Sequence, residues 1–356
     1  MCLAKAGVLL ILIPIIVGVV LISAAASFCT RLMDSTTPCI TRNYIIECLD
    51  ECVQTCSGFE SLWIDLPTSK KVHVLHWKRA TIRRNRSPLL CIPGTGSYSL
   101  CYVDIVLAQN TYDDIYVIDL PGWGISDSPS AIDIKHSKLH DIHVYYSQLI
   151  AELYLNIKER SRSTRVDILG HSLGAYLVIQ FMKRNIKMID GASITLFCTP
   201  GMTAKMSEYD WFWAWLIKFS IPERYMKQWN LWHCVRWWFA EHTDPLTRFH
   251  AIALFNPEGE GYDVLAKHMN ITLDADWNIS TRWEPVCIDE LICVAKANDS
   301  VKLSIVWGDM DTLVCLKEDV LNALQKAGIK NHIVDMEHGI SDEPYTVADV
   351  LTTAVK

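Results

Sequence analysis

Hydrophobic and polar positions change rhythm several times along this chain, and each change marks a predicted element. Gly7 to Phe28 is an apolar stretch without a charge, in which Ser23 and Ser27 are the only polar side chains. As a helix, those 22 residues would be about 33 Å long, against a hydrocarbon core of about 30 Å. The run reads as a transmembrane anchor over 7–28. A cleaved signal peptide is the alternative, with Lys5 as its basic region and Ala24–Ala26 as small residues near a cleavage point. The length of the run favours the anchor. Residues 29–58 follow as a cysteine-containing stem.

From Leu62 onward the pattern shifts to short β-branched runs separated by turns. Leu62–Leu66 and Val72–Trp77 predict a hairpin around the turn that begins at Pro67. Leu89–Ile92, Ile115–Ile118, Val166–Leu169, Ile194–Phe197 and Leu303–Trp307 read as short buried strands. Asp141–Glu159 has helical period, and Leu173–Met182 is an apolar helix without Gly or Pro. Strands alternating with helices predict an α/β fold: a mainly parallel sheet with helices on both faces. The core is assigned to 59–201 and 286–356. Residues 202–285 break the rhythm and gather tryptophans, seven of them between Trp211 and Trp238, so they read as a Trp-rich helical cap or lid.

Composition narrows the class. Of 356 residues, 50% are hydrophobic and 21% charged, which excludes a disordered chain and leaves ample material for a core. A net charge of −7 argues against a nucleic-acid partner. Among the 13 cysteines, Cys48, Cys52 and Cys56 are spaced by one helical turn, with Cys39 upstream. They fit a disulfide-stapled stem, and equally cysteines packed as small hydrophobes. Neither histidine nor C-x-x-C spacing accompanies them, so no metal site is read there. Asn85, Asn270, Asn278 and Asn298 each begin an N-x-S/T triplet, which leans the main domain towards a lumenal or extracellular side.

Chemistry gathers at Gly170-His171-Ser172-Leu173-Gly174, which follows a predicted strand and opens a predicted helix. Glycines two residues either side of Ser172 permit a sharp turn that lifts the hydroxyl clear of the sheet. At a helix N-terminus, backbone donors and the helix dipole favour negative charge beside it. A serine needs a base and the base needs an orienting acid. Asp311 is the candidate acid and His338 the candidate base, each following a predicted strand and so facing the same sheet edge. Asp309 remains an alternative acid, and His332 an alternative base that sits at the start of its strand. The backbone N–H groups of Leu173 and Thr95 are the candidate oxyanion donors, Thr95 from the loop Pro93-Gly94-Thr95-Gly96.

Taken together, these motifs resemble those of the α/β-hydrolase superfamily, from about Leu62 to the C-terminus. Asp119-Leu-Pro-Gly-Trp-Gly-Ile-Ser126 resembles the family's D-x-x-G-x-G-x-S signature, and His338 with Glu343 and Pro344 resembles its catalytic histidine segment. Pro93 departs from the pattern, since many members carry His before the oxyanion glycine. The resemblance implies the α/β-hydrolase fold and a membrane-anchored serine hydrolase that cleaves carboxylic esters of an acyl lipid. It implies neither organic cofactor nor metal. A lipid acyltransferase using the same triad, or a non-catalytic binding protein on the scaffold, are the alternatives. Trp211 and Trp215 share a helical stripe, and Trp232 is interleaved with basic residues; all three are candidate lid contacts to lipid at the bilayer surface.

Overall fold

Alternating apolar side chains sort eight strands of the computed structural model into one sheet with two buried faces. The structure describes residues 49–50, 53–54, 58–202, 272–273, 279–280, 286 and 288–354, with short breaks at 70, 82–85, 128, 130–131, 133–135, 312–313 and 315. The strands are β1 (Phe59–Ile64), β2 (Val72–Lys78), β3 (Leu89–Ile92), β4 (Asp114–Ile118), β5 (Asp167–His171), β6 (Ser193–Phe197), β7 (Thr272–Leu273), β8 (Ile279–Ser280), β9 (Lys302–Gly308) and β10 (Lys330–Val334). Described helices are α1 (Val103–Ala108), α2 (Leu139–Ser161), α3 (Leu173–Asn185), α4 (Ile288–Lys296), α5 (Glu318–Lys326) and α6 (Pro344–Ala354).

The main sheet runs β1-β2-β4-β3-β5-β6-β9-β10. Only β2 runs against the rest of this sheet, pairing antiparallel with both β1 and β4. From β4 to β10 every pairing is parallel. A parallel sheet must be covered on both sides, and the side chains divide accordingly. Leu90, Ile92, Tyr116, Ile118, Ile168, Ile194 and Ile305 join the cluster that packs α2, α3, α4 and α5. Their neighbours Leu89, Cys91, Ile115, Val117, Leu169 and Val306 join the other cluster, against α1 and α6. The period of two in each strand thereby fixes which helices lie on which face.

Several boundaries differ from the sequence reading. The first strand begins at Phe59 and ends at Ile64, earlier than Leu62–Leu66, because it is an edge strand and only Ile64 of it is fully buried. α1 escapes the periodicity because six residues hold less than two helical turns. Two short strands, β7 and β8, pair antiparallel within the insertion, where none was expected.

The predicted anchor 7–28, nearly all of the stem 29–58 and nearly all of the cap 202–285 lie outside the described residues. So do Cys39, Cys48, Cys52, Cys56, Trp211, Trp215 and Trp232. Among the described residues, no helix is long and apolar enough to cross a membrane. Of the four N-x-S/T asparagines only Asn298 is described, and its amide donates to the Ile186 carbonyl at 3.3 Å.

Candidate active site

Parallel strands present all their carboxyl ends at one edge of the sheet, where ligands of open α/β sheets bind. Ser172 stands at this edge, between the end of β5 and the first turn of α3. Its backbone is at φ 49° and ψ −122°, a left-handed conformation rarely adopted by a side-chain-bearing residue. Such strain costs on the order of 1–3 kcal/mol and persists only where the surroundings impose it. The imposing contacts are close backbone approaches. A Cβ on Gly170 would come within 2.7 Å of the Ala175 Cα, and one on Gly174 within 2.2 Å of the Ile92 carbonyl oxygen. The Ser172 N–H is held by the Phe197 carbonyl of β6 at 2.9 Å.

His338 arrives on the segment after β10, and Asp311 on the turn after β9. The two meet across the edge: His338 Nδ1–H donates to the Asp311 carboxylate at 2.8 Å. The other ring nitrogen, Nε2, lies 2.8 Å from Ser172 Oγ. Asp311 is buried, and its second carboxylate oxygen accepts the Val314 N–H at 2.8 Å. Asp309 is exposed and takes no part. His332 is in the middle of β10, opposite Val306, rather than at the strand's start. Of the paired alternatives, the structure therefore brings together Ser172, Asp311 and His338.

The loop after β3 closes the other flank. Ser97 N–H donates to the Gly94 carbonyl at 3.2 Å, forming a turn that contains Thr95. A Cβ on Gly94 would come within 2.8 Å of Ser172 Cβ, so this loop's backbone rests directly on the serine. The Leu173 N–H is at the first position of α3, where it lacks an intrahelical carbonyl partner. Thr95 carries a buried hydroxyl that has no hydrogen-bond partner among the described residues. The loop after β3 and the first turn of α3 thus both adjoin Ser172.

Three residues of the site were not singled out from sequence. His171, the variable residue of the glycine–serine motif, is buried and donates from Nε2 to the His338 carbonyl at 2.8 Å. Burial, reinforced by the charge of a protonated His338, holds its pKa down at about 3. It is therefore a neutral imidazole of fixed tautomer. Cys198, just beyond β6, is buried, with its sulfur within 4.8 Å of an Asp311 carboxylate oxygen. Burial and the neighbouring carboxylate push this thiol up, so it stays protonated. His73 of β2 binds Asp119 Oδ2 at 3.0 Å and Ser61 at 3.0 Å, with both members of the His73–Asp119 pair at 0% side-chain exposure.

The His73 contact explains the D-x-x-G-x-G-x-S segment. Burial tends to raise the Asp119 pKa, but His73 and the N–H groups of Ile125 and Ser99 outweigh it and hold the carboxyl below its usual range. Ser126 closes the loop by donating to the Asp119 carbonyl at 2.5 Å and accepting the His73 N–H at 2.8 Å. The segment is a latch that ties β4 to β2. No sequence signal marks His73, because the contact spans 46 positions.

Among the described residues, Cys198, Asp311 and His338 have ligand-capable atoms all within 4.8 Å of one another. They do not fit a cation: the thiol is protonated, and the carboxylate and imidazole are engaged with each other.

Comparison with known proteins agrees with this geometry. Residues 89–350 match the model of the alpha/beta hydrolase family. A carboxylesterase from Bacillus subtilis is similar in structure, with 13% identity over 88% of this chain and 98% of that one and a TM-score of 0.57. A membrane phospholipase A described as a bacterial virulence factor matches with 14% identity over 96% and 97% of the two chains and a TM-score of 0.56. Naproxen esterase from Bacillus subtilis matches with 13% identity over 90% and 100% and a TM-score of 0.54. At such identities the likeness speaks for the fold alone. No curated protein sequence matches the chain. With its eight-stranded sheet, its glycine-flanked serine and a family match over most of its length, this chain belongs to the alpha/beta hydrolase family.

Proposed function

We propose that this protein is a serine hydrolase that cleaves carboxylic esters of an acyl lipid through an acyl-enzyme. One observation carries the reading: Ser172, His338 and Asp311 form a continuous hydrogen-bonded relay at 2.8 Å per step, on a strained serine at a helix N-terminus. In the forward step His338 Nε2 takes the Ser172 proton while Oγ bonds to the ester carbonyl carbon. Asp311 holds the imidazole by Nδ1 and stabilises its charged form. The N–H groups of Leu173 and Thr95 receive the oxyanion. Collapse breaks the C–O bond, and the alcohol leaves with the proton from His338. Water then repeats the sequence on the acyl-enzyme and frees the acid.

The lipid assignment rests on sequence. The uncharged run 7–28 supports attachment to a membrane, and the tryptophans at 211, 215 and 232 support a lid that contacts acyl chains. The likeness to a structure described as a membrane phospholipase A favours the same substrate class. The test is a panel of long-chain glycerides, phospholipids and short p-nitrophenyl esters, presented to the full chain in detergent or vesicles. The proposal expects turnover that favours long acyl chains and disappears in Ser172→Ala. Preference for the short esters would overturn the lipid assignment, and equal turnover by Ser172→Ala would overturn the serine mechanism.

A further inference from the structure

Cys198 stands where a chemical role is expected rather than mere packing. It is the first residue beyond β6, fully buried, and it holds a left-handed backbone at φ 47°. Only Arg162 and Ser172 share that property among the described residues other than glycine. Arg162 ends helix α2, where such a conformation is ordinary. The other two positions both adjoin the candidate active site. At Cys198 the twist is fixed by the Val306 carbonyl, which accepts its N–H at 3.0 Å. The thiol sulfur lies within 4.8 Å of an Asp311 carboxylate oxygen and of a His338 ring nitrogen.

Asp311 has the Cys198 thiol beside a carboxylate that already accepts from a backbone N–H and from His338. Val314 N–H binds Oδ1, His338 Nδ1–H binds Oδ2, and the Cys198 sulfur lies within 4.8 Å of the same carboxylate. Burial and the adjacent carboxylate keep that thiol protonated, so it can only donate.

We infer that Cys198 is a positioning residue that donates its S–H to Asp311 and thereby sets how strongly the carboxylate stabilises a protonated His338. The reading rests on the proposed serine mechanism. A donor on the carboxylate draws off part of its negative charge, so less remains to hold a proton on the imidazole. Removing the donor strengthens that hold, and the histidine then stays protonated, and useless as a base, up to a higher pH. Replacing the thiol by a better donor acts in the opposite direction.

Among the described residues, no other ionisable group competes for this role. His338 is faced by Asp311 and Cys198 from the loops after β9 and β6. His171 faces it from β5, with ring centroids 5.3 Å apart, and is neutral across the working range. Asp309, Asp335, Glu337 and Asp342 on the neighbouring loops are all exposed to solvent.

The experiment compares wild type, Cys198→Ala and Cys198→Ser in the full chain, following kcat/KM for a short p-nitrophenyl ester from pH 5 to 9. The expected result is an acidic limb displaced upward by about half a pH unit in Cys198→Ala, with that in Cys198→Ser at or below the wild-type position. A limb that stays within 0.1 unit in both variants, or moves the same way in both, overturns the proposal; ~0.1 is the precision such profiles allow. A purely structural role would lower the rate without moving the limb. The downfield proton NMR signal of His338 Nδ1–H, assigned by its loss in His338→Gln, gives the same titration without turnover. It decides the Cys198 question even if wild type proves inactive on every ester, an outcome that would count against the serine mechanism alone.

Discussion

Replacing Gly174 by alanine sets two effects of opposite sign against each other. Gly174 is in the first turn of α3, where helix propensity alone favours alanine by about 1 kcal/mol. Against this, the new Cβ would lie 2.2 Å from the Ile92 oxygen and 2.4 Å from the Pro93 oxygen, where ordinary contact begins at 3.4 Å. The main chain must retreat by about 1 Å, and Ile92 ends β3, a strand paired with β4 and β5, with Pro93 directly after it. Overpacking of this kind costs about 3 kcal/mol, at the upper end of its usual range. The net expectation is a loss of about 2 kcal/mol, which lowers Tm by roughly 4–8 °C. The same displacement shifts Gly94 and Thr95 relative to Ser172, so ester turnover should fall by about two orders of magnitude. Urea midpoints and kcat/KM on a short ester read both effects. Gly328→Ala is the control: unlike Gly174 it carries a positive φ, +77°, and nothing among the described residues lies within 4 Å of a new Cβ. It should cost about 1 kcal/mol with turnover unchanged. An unchanged or raised midpoint in Gly174→Ala, with turnover within about twofold of wild type, would refute the close-approach argument.

The two aspartates after β9 should separate cleanly. Asp311→Asn should lower kcat by about three to four orders of magnitude, whereas Asp309→Asn should stay within about threefold of wild type. Comparable losses in both variants would contradict the geometry. The buried His171 gives a stability prediction. Its pKa falls from 6.5 to about 3 on folding, so below pH 6.5 the unfolded chain gains a proton that the native state refuses. Stability from this group is present above pH 6.5 and is lost as pH falls towards 3, at up to about 1.4 kcal/mol per pH unit. Urea denaturation between pH 7 and 5 should show a shallower decline in His171→Asn than in wild type; parallel declines would show that another group governs acid sensitivity.

Local patterns account for what the sequence revealed of this fold. The glycine–serine turn is legible because its determinants lie within five consecutive residues, and the order of Ser172, Asp311 and His338 follows from the strand-to-helix alternation. The choice between Asp309 and Asp311 was not legible. Both follow β9 directly, and only the bend of the turn, with Asp311 N–H on the Gly308 carbonyl at 3.3 Å, sends one inward and leaves the other in solvent. Cys198 and His171 escaped notice for a different reason. A buried cysteine at a strand end and a histidine inside the motif are ordinary in sequence, and each acquires meaning only from a partner over 100 positions away. The exchange of β3 and β4 in the sheet order, and the His73–Asp119 latch across β2, likewise depend on which strands meet.

The central claim is that Ser172 is the group activated by His338. Its most direct test is treatment of the full-length protein with a fluorophosphonate, followed by mass mapping of the modified peptide. The account predicts one phosphonyl adduct, on Ser172, absent in Ser172→Ala and strongly slowed in His338→Gln. An adduct elsewhere, undiminished labelling of Ser172→Ala, or an unlabelled wild type would contradict it.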